Sequence, residues 1–130
     1  MEFALMANAV LQRACLREAD MSGAQLDAAA LIGADLRKAN LRGAGFRNAR
    51  LDEADLRGAR LGSAFMVGAS LRGADLRGAY LRLAKLDGAD LSDADLDSVE
   101  GLTQDQVARS LCNGGTKLPA GLTEAQDGKR

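Results

Sequence analysis

Alanine recurs at every fifth position from Ala4 to Ala94 without a miss, and two residues after each alanine stands a large apolar side chain. These nineteen centres are fifteen leucines, Met6, Met21, Met66 and Phe46, and the register ends with Val99 in the place of the next alanine. Units such as Ala34-Asp35-Leu36-Arg37-Lys38 and Ala74-Asp75-Leu76-Arg77-Gly78 are typical. Neither common period accommodates this pattern. On an α-helix five residues advance about 500°, so successive leucines precess by about 140° and form no stripe. On a flat strand five is odd, so successive leucines alternate between the two faces. A chain that buries them all must turn a corner every five residues, with alanine and leucine pointing inward from a short extended segment.

Glycine placement supports the corner. The second residue after the leucine is glycine at 23, 33, 43, 58, 68, 73, 78 and 88. A type II turn centred on the two residues after leucine needs a positive φ at its second central position, where glycine is least strained. Units without that glycine, such as those ending in Arg13, Glu53 or Leu83, are expected to use other turn geometries.

The units resemble the pentapeptide-repeat family, whose consensus Ala-(Asp/Asn)-Leu-X-X they follow from residue 4 to about residue 98. That resemblance implies an all-β solenoid, a right-handed quadrilateral β-helix with four units and twenty residues per coil. The sequence itself offers a second sign of twenty. Aspartate precedes the leucine at 35, 55, 75 and 95, and arginine follows it at 17, 37, 57 and 77. About five coils stacked at ~4.8 Å would make a rod roughly 23 Å long. The Asp and Arg columns should form a solvated ladder of ion pairs on one face.

Domain organisation follows from where the repeat stops. Residues 1–100 are read as the β-helix, 101–122 as a cap containing a short α-helix, and 123–130 as a disordered tail. Thr103-Gln104-Asp105-Gln106 has capping-box spacing with Thr103 as N-cap, and Val107 and Leu111 would share a helix face. Asn113-Gly114-Gly115 reads as the helix stop, with Leu118, Pro119 and Leu122 folding back. The stretch from Leu102 to Leu122 resembles the Leu-Thr-Gln…Cys…Thr-Lys-Leu-Pro tail that follows the repeats in many bacterial members of the family, and implies a lid over the last coil. At the other end only Met1, Glu2 and Phe3 precede the first unit. The expectation there is a homodimer formed by stacking the uncapped N-terminal coil on a second copy, or else a longer parent chain.

Composition bounds the function. The 130 residues include no His and no Trp, aromatics are 3%, and 17 basic residues face 18 acidic ones. The commonest general base and metal ligand is therefore missing. No catalytic, cofactor-binding or metal-binding residues are assigned, and no cofactor is expected. Cys15 is read as a surface thiol and Cys112 as packing in the cap helix, at opposite ends of the rod and beyond disulfide reach. Glu2 and Arg13 argue against an export signal, and no apolar run has membrane-spanning length, so a cytoplasmic protein without membrane partners is expected.

Charge is segregated despite the net −1. Residues 37–82 carry +6 and residues 86–100 carry −6. Arg37, Arg42, Arg57, Arg77 and Arg82 form a candidate basic girdle for an acidic partner. Nucleic acid is the weaker partner class, because Tyr80 is the one ring near the girdle. Phe65, Val67 and Ile32 form a candidate apolar contact patch. The functional expectation is a non-enzymatic scaffold for a protein partner whose identity is not legible. The alternative comes from the resemblance: some family members mimic duplex DNA, bind type II topoisomerases such as gyrase and protect them from quinolones. Mimicry requires a strongly negative surface, which the basic girdle opposes.

Overall fold

The computed structural model describes residues 5–124 and forms a right-handed quadrilateral β-helix with a C-terminal cap. From Leu5 to Tyr80, each residue preceding a core leucine or its substitute pairs in parallel with the residue twenty positions on. Four such columns define four faces. The first runs Leu5, Gln25, Gly45, Phe65, Lys85; the second Val10, Ala30, Arg50, Ser70, Asp90. The third runs Cys15, Asp35, Asp55, Asp75, Asp95, and the fourth Asp20, Asn40, Arg60, Tyr80, Glu100.

Every unit closes its own corner. The alanine N–H donates to the carbonyl of the leucine three residues before it, as from Ala34 to Leu31 at 3.0 Å, which closes the corner as a β-turn. Three further bonds tie neighbouring coils, for example Leu31 N–H to Arg50 O at 2.7 Å, Gly33 N–H to Asp52 O at 2.9 Å and Arg50 N–H to Ala29 O at 2.9 Å. The inward alanines and leucines from Met21 to Leu96 form one continuous core at 0–3% exposure. Phe46 is the single aromatic ring inside it.

The corners depart from expectation in one respect. Glycine corners have φ of 66–73°, but Arg13, Glu53 and Leu83 also sit at positive φ, at 57°, 59° and 63°. The corners without glycine therefore keep the same hydrogen-bonded turn and occupy the left-handed region directly. Position five-fold periodicity dictates the corner, and the tertiary stack over-determines a conformation that a non-glycine residue would avoid in isolation.

The cap holds a helix, α1 (Gln104–Arg109), opened by a complete capping box between Thr103 and Gln106. Val107 is fully buried, as its place on the inner face requires. Leu111 is not its helical partner. The helix ends at Arg109 with Ser110 as C-cap, before the Asn-Gly-Gly segment expected to stop it. The reason is topological: α1 replaces only the first face of a further coil, after which the chain resumes β pairing. Leu111 extends the second face against Asp90, and Lys117 extends the third against Asp95. Cys112 accordingly lies beyond the helix, half-buried against the core. Thr123 exchanges two hydrogen bonds with the Gln104 side chain, at 2.8 and 3.1 Å, so the tail expected from residue 123 begins with a residue tied to the cap. Residues 125–130 lie outside the described residues.

Candidate interaction surface

The third face carries the ladder expected from the Asp and Arg columns. Arg37 lies 2.8 Å from Asp35 and 3.7 Å from Asp55; Arg57 lies 2.6 Å from Asp55 and 3.7 Å from Asp75. Arg77 repeats the pattern with Asp75 and Asp95 at 2.6 and 3.8 Å. The near pairs are bidentate, as with Arg37 Nε and Nη2 on the two oxygens of Asp35. Asp35 is held down to about 2, chiefly by the side-chain hydrogen bond from Arg37, and Asp55 and Asp75 are lowered for the same reason by Arg57 and Arg77. Each aspartate also accepts the backbone N–H of its arginine, two residues on. That bond turns the outward-facing N–H of the corner into a satisfied group.

The structure divides the candidate girdle. Arg37, Arg57 and Arg77 are absorbed into the ladder on the third face. Arg42 and Arg82 stand on the corner between the fourth and first faces, with Gly62 between them in the same column. Neither forms an ion pair among the described residues, and nor does Arg60 on the adjoining face.

The candidate apolar patch is also divided. Phe65 is 37% exposed, and the Arg47 guanidinium sits 4.9 Å from its ring centroid, a cation–π arrangement. Val67 turns away at the next corner and is 40% exposed. Ile32 is half-buried on a different corner, between the second and third faces, and does not join them.

Val67 instead lines a groove of about 850 Å³ between α1 and the last coil, together with Arg82, Leu83, Lys85, Leu86 and Leu102. Leu83 is the most exposed of these apolar residues, at 66%. Asp87, Asp105 and Arg109 form a bridged triplet at the rim, with Arg109 3.0 Å from Asp105 and 3.4 Å from Asp87. Arg82 and Lys85, the other cations of the groove, form no ion pair among the described residues. Sequence reasoning missed it because it depends on where α1 lands. The available signal was Leu83, an apolar residue at a corner position otherwise filled by glycine, polar residues or alanine.

The residue that seats α1 was read only as a helix-cap residue. Gln106 donates its side-chain amide to the carbonyls of Leu81 and Ala84 at 3.0 and 2.9 Å while its oxygen accepts from Thr103 N–H. Asn113 and Thr116 perform the equivalent service at the next turn, accepting from Asp93 N–H and donating to Leu91 O. Both cysteines are free thiols; burial raises Cys112 above its ordinary pKa. Among the described residues no group of three His, Cys, Asp or Glu side chains is placed to hold a metal ion. Among them, too, no helix is long and apolar enough to cross a membrane.

Comparison with known proteins agrees with this geometry. The family model for pentapeptide repeats matches residues 24–62 and 64–99 in 8 copies, more than half of the chain. Among solved structures, the chain is similar to Rfr23, a pentapeptide repeat protein from the cyanobacterium Cyanothece 51142, at 30% identity and a TM-score of 0.51. That likeness covers 77% of this chain and 64% of Rfr23, so the chain spans less than two thirds of that protein's length. It is also similar to a trypsin-treated variant of QnrB1, a plasmid-mediated fluoroquinolone resistance protein, at 22% identity and a TM-score of 0.62, over 90% of this chain and 69% of the other. No curated protein matches the chain in sequence.

Proposed function

The chain belongs to the pentapeptide-repeat family, and from that premise we propose that it is a non-enzymatic scaffold that presents a rigid surface to a protein partner. One observation carries the reading. At the junction of α1 and the last coil, exposed Leu83 and Val67 meet the unpaired cations Arg82 and Lys85 around a groove of about 850 Å³. Apolar contact ringed by uncompensated charge is what a specific, non-obligate protein interface uses. The core behind it is solid, so the surface is held in place by the whole stack. The absence of histidine from the sequence and the neutralisation of Asp35, Asp55 and Asp75 by arginine leave little for acid–base chemistry.

In-cell crosslinking followed by affinity capture tests this. A discrete crosslinked partner whose capture is lost on Leu83→Asp supports the scaffold; failure to crosslink any protein would sink it. The same preparation added to a gyrase supercoiling assay tests DNA mimicry, for which inhibition or quinolone rescue is the required result. The charge argues for no effect, since the groove and the fourth corner are basic.

We also propose that the first coil stacks on a second copy. Leu5 and Val10 are exposed there, and Met6, Leu11 and Leu16 are only half-buried. In later coils the face-centre residue donates its N–H to the coil before it, as Ala30 does to Ala9, so the first coil offers the same edge to a partner. Sedimentation equilibrium should report a dimer at micromolar concentration, weakened by Leu5→Lys; a monomer at that concentration defeats the idea.

A further inference from the structure

The corner N–H that follows each core leucine points outward, toward the side chains of the neighbouring columns. At seven corners it is taken by the Asp or Asn two residues earlier, as from Arg42 N–H to Asn40 and from Arg57 N–H to Asp55. At one corner the acceptor comes from the previous coil instead. Asp27 accepts the N–H of Arg47 at 3.0 Å and lies 3.7 Å from the Arg47 guanidinium. Gly45 makes that seat, because a Cβ there would stand 2.8 Å from the Asp27 carboxylate.

Gly62 stands at the corner position that Arg47 holds there, with its N–H facing outward and no carboxylate supplied. Its own preceding residue in the acceptor position is Arg60, and the corner residue of the previous coil is Arg42, so neither source supplies an acceptor. Its N–H makes no hydrogen bond among the described residues, and Arg42, Arg60 and Arg82 around it make no ion pair among them. The residue without a side chain leaves a notch of about 450 Å³ between Arg42 and Arg82, floored by Gly62 and Ser63 and walled by Tyr80. Along the fourth face the acids Asp20 and Glu100 each lie two coils from Arg60, beyond Asn40 and Tyr80. Leu83 and Arg82 line both this notch and the groove beside α1, so the two are one continuous surface.

We propose that this corner receives a carboxylate side chain of the partner protein, seated on the Gly62 N–H between Arg42 and Arg82, with a neighbouring apolar side chain of the partner resting on Leu83. The assignment rests on the scaffold reading and names the chemistry of its partner: an acidic segment carrying an apolar residue beside the acid. A carboxylate is favoured because the equivalent corner N–H of Arg47 takes one from Asp27, and here Arg42 and Arg82 of the neighbouring coils stand in for the Arg47 guanidinium.

The test is an amide NMR titration of the full chain with the peptide acetyl-Leu-Asp-Asp-Leu-amide. The expected result is a saturable shift at the Gly62 amide with a dissociation constant on the order of 1 mM, as befits so small a ligand. Arg42→Gln/Arg82→Gln should weaken it roughly tenfold, the loss of charge-assisted hydrogen bonds. Equal binding of the Asn counterpart peptide overturns the proposal, as do shifts spread evenly over Arg13, Arg50 and Arg72. Inorganic phosphate saturating Gly62 where the peptide does not would overturn it in favour of a different anion class. The scaffold reading is separated by capturing the crosslinked partner with the same double variant. Undiminished capture overturns the carboxylate seat and leaves the scaffold standing; a successful titration without any crosslinked partner keeps the seat and removes the scaffold.

Discussion

Arg37 stands between carboxylates of two successive coils, 2.8 Å from Asp35 and 3.7 Å from Asp55. Stacking like charges every ~4.8 Å would oppose the fold, and the interleaved arginines reverse the sign of that interaction. The consequence for pH follows from Asp35, whose carboxyl falls from its ordinary 3.8 to about 2, mainly through the Arg37 side-chain hydrogen bond. A carboxyl depressed in the folded state contributes stability that is complete above its unfolded value and lost as pH drops through the folded one. The thermal midpoint should therefore fall between pH 4 and pH 2. In Arg37→Gln it should start lower at neutral pH and fall less over that interval, with the Asp35 titration moving up toward 3.8. An unchanged Asp35 titration in the variant would show that the backbone N–H of Arg37 alone holds the shift. A second residue-scale prediction concerns the corners. Lys38 occupies φ of 58° with its side chain exposed, a conformation costing a non-glycine residue roughly 1–2 kcal/mol. Lys38→Gly should stabilise the chain by about 0.5–1 kcal/mol, net of glycine's larger loss of entropy on folding. Urea denaturation reads this directly as a higher midpoint at constant slope.

Between residue and rod lies the cap, where the limits of a sequence reading become physical. The repeat carried its own geometry because each unit meets copies of itself, so the columns at 35, 55, 75 and 95 announced both the coil length and the ladder. Thr103 and Gln106 likewise announced the start of α1 through local spacing. What spacing could not announce was the helix end, because Arg109 O is claimed by Gly88 N–H and Leu111 N–H donates to Ala89 O, bonds to residues twenty-odd positions away. The same holds for the surface. Arg37 and Arg42 look alike in the sequence, yet one faces a carboxylate column and the other a glycine notch. The cap is held by few groups, so it is sensitive to single ones. Gln106→Ala removes both the donors to Leu81 and Ala84 and half of the capping box, and should cost about 1–3 kcal/mol. Hydrogen exchange should quicken first in α1 and at Val107, with the middle coils unaffected. Equal quickening throughout the stack would mean that cap and rod unfold as one unit.

Over the described residues the two ends of the stack differ in burial. The last coil is covered by α1 and by two further pairings, and Leu86, Leu91 and Leu96 remain buried beneath them. The first coil has comparable inward residues, but Met6, Leu11 and Leu16 are half-buried. Because each coil contacts only its neighbours, stability in such an array is a sum of coil and interface terms, and an end coil has one interface where a middle coil has two. The same substitution should therefore cost different amounts along the rod. Leu51→Ala, in the middle at 0% exposure, removes a side chain packed on both sides and should cost about 2–5 kcal/mol. Leu11→Ala on the monomer should cost well under half of that, because part of the side chain already meets water and no closed cavity is left. Measured against protein concentration, the two variants separate further. Leu51→Ala should lose the same stability at low and high concentration, whereas the cost of Leu11→Ala should grow if a second copy covers the first coil. A Leu11→Ala cost equal to that of Leu51→Ala at every concentration would mean that the first coil is buried by something other than a second copy, and that the rod is closed at both ends.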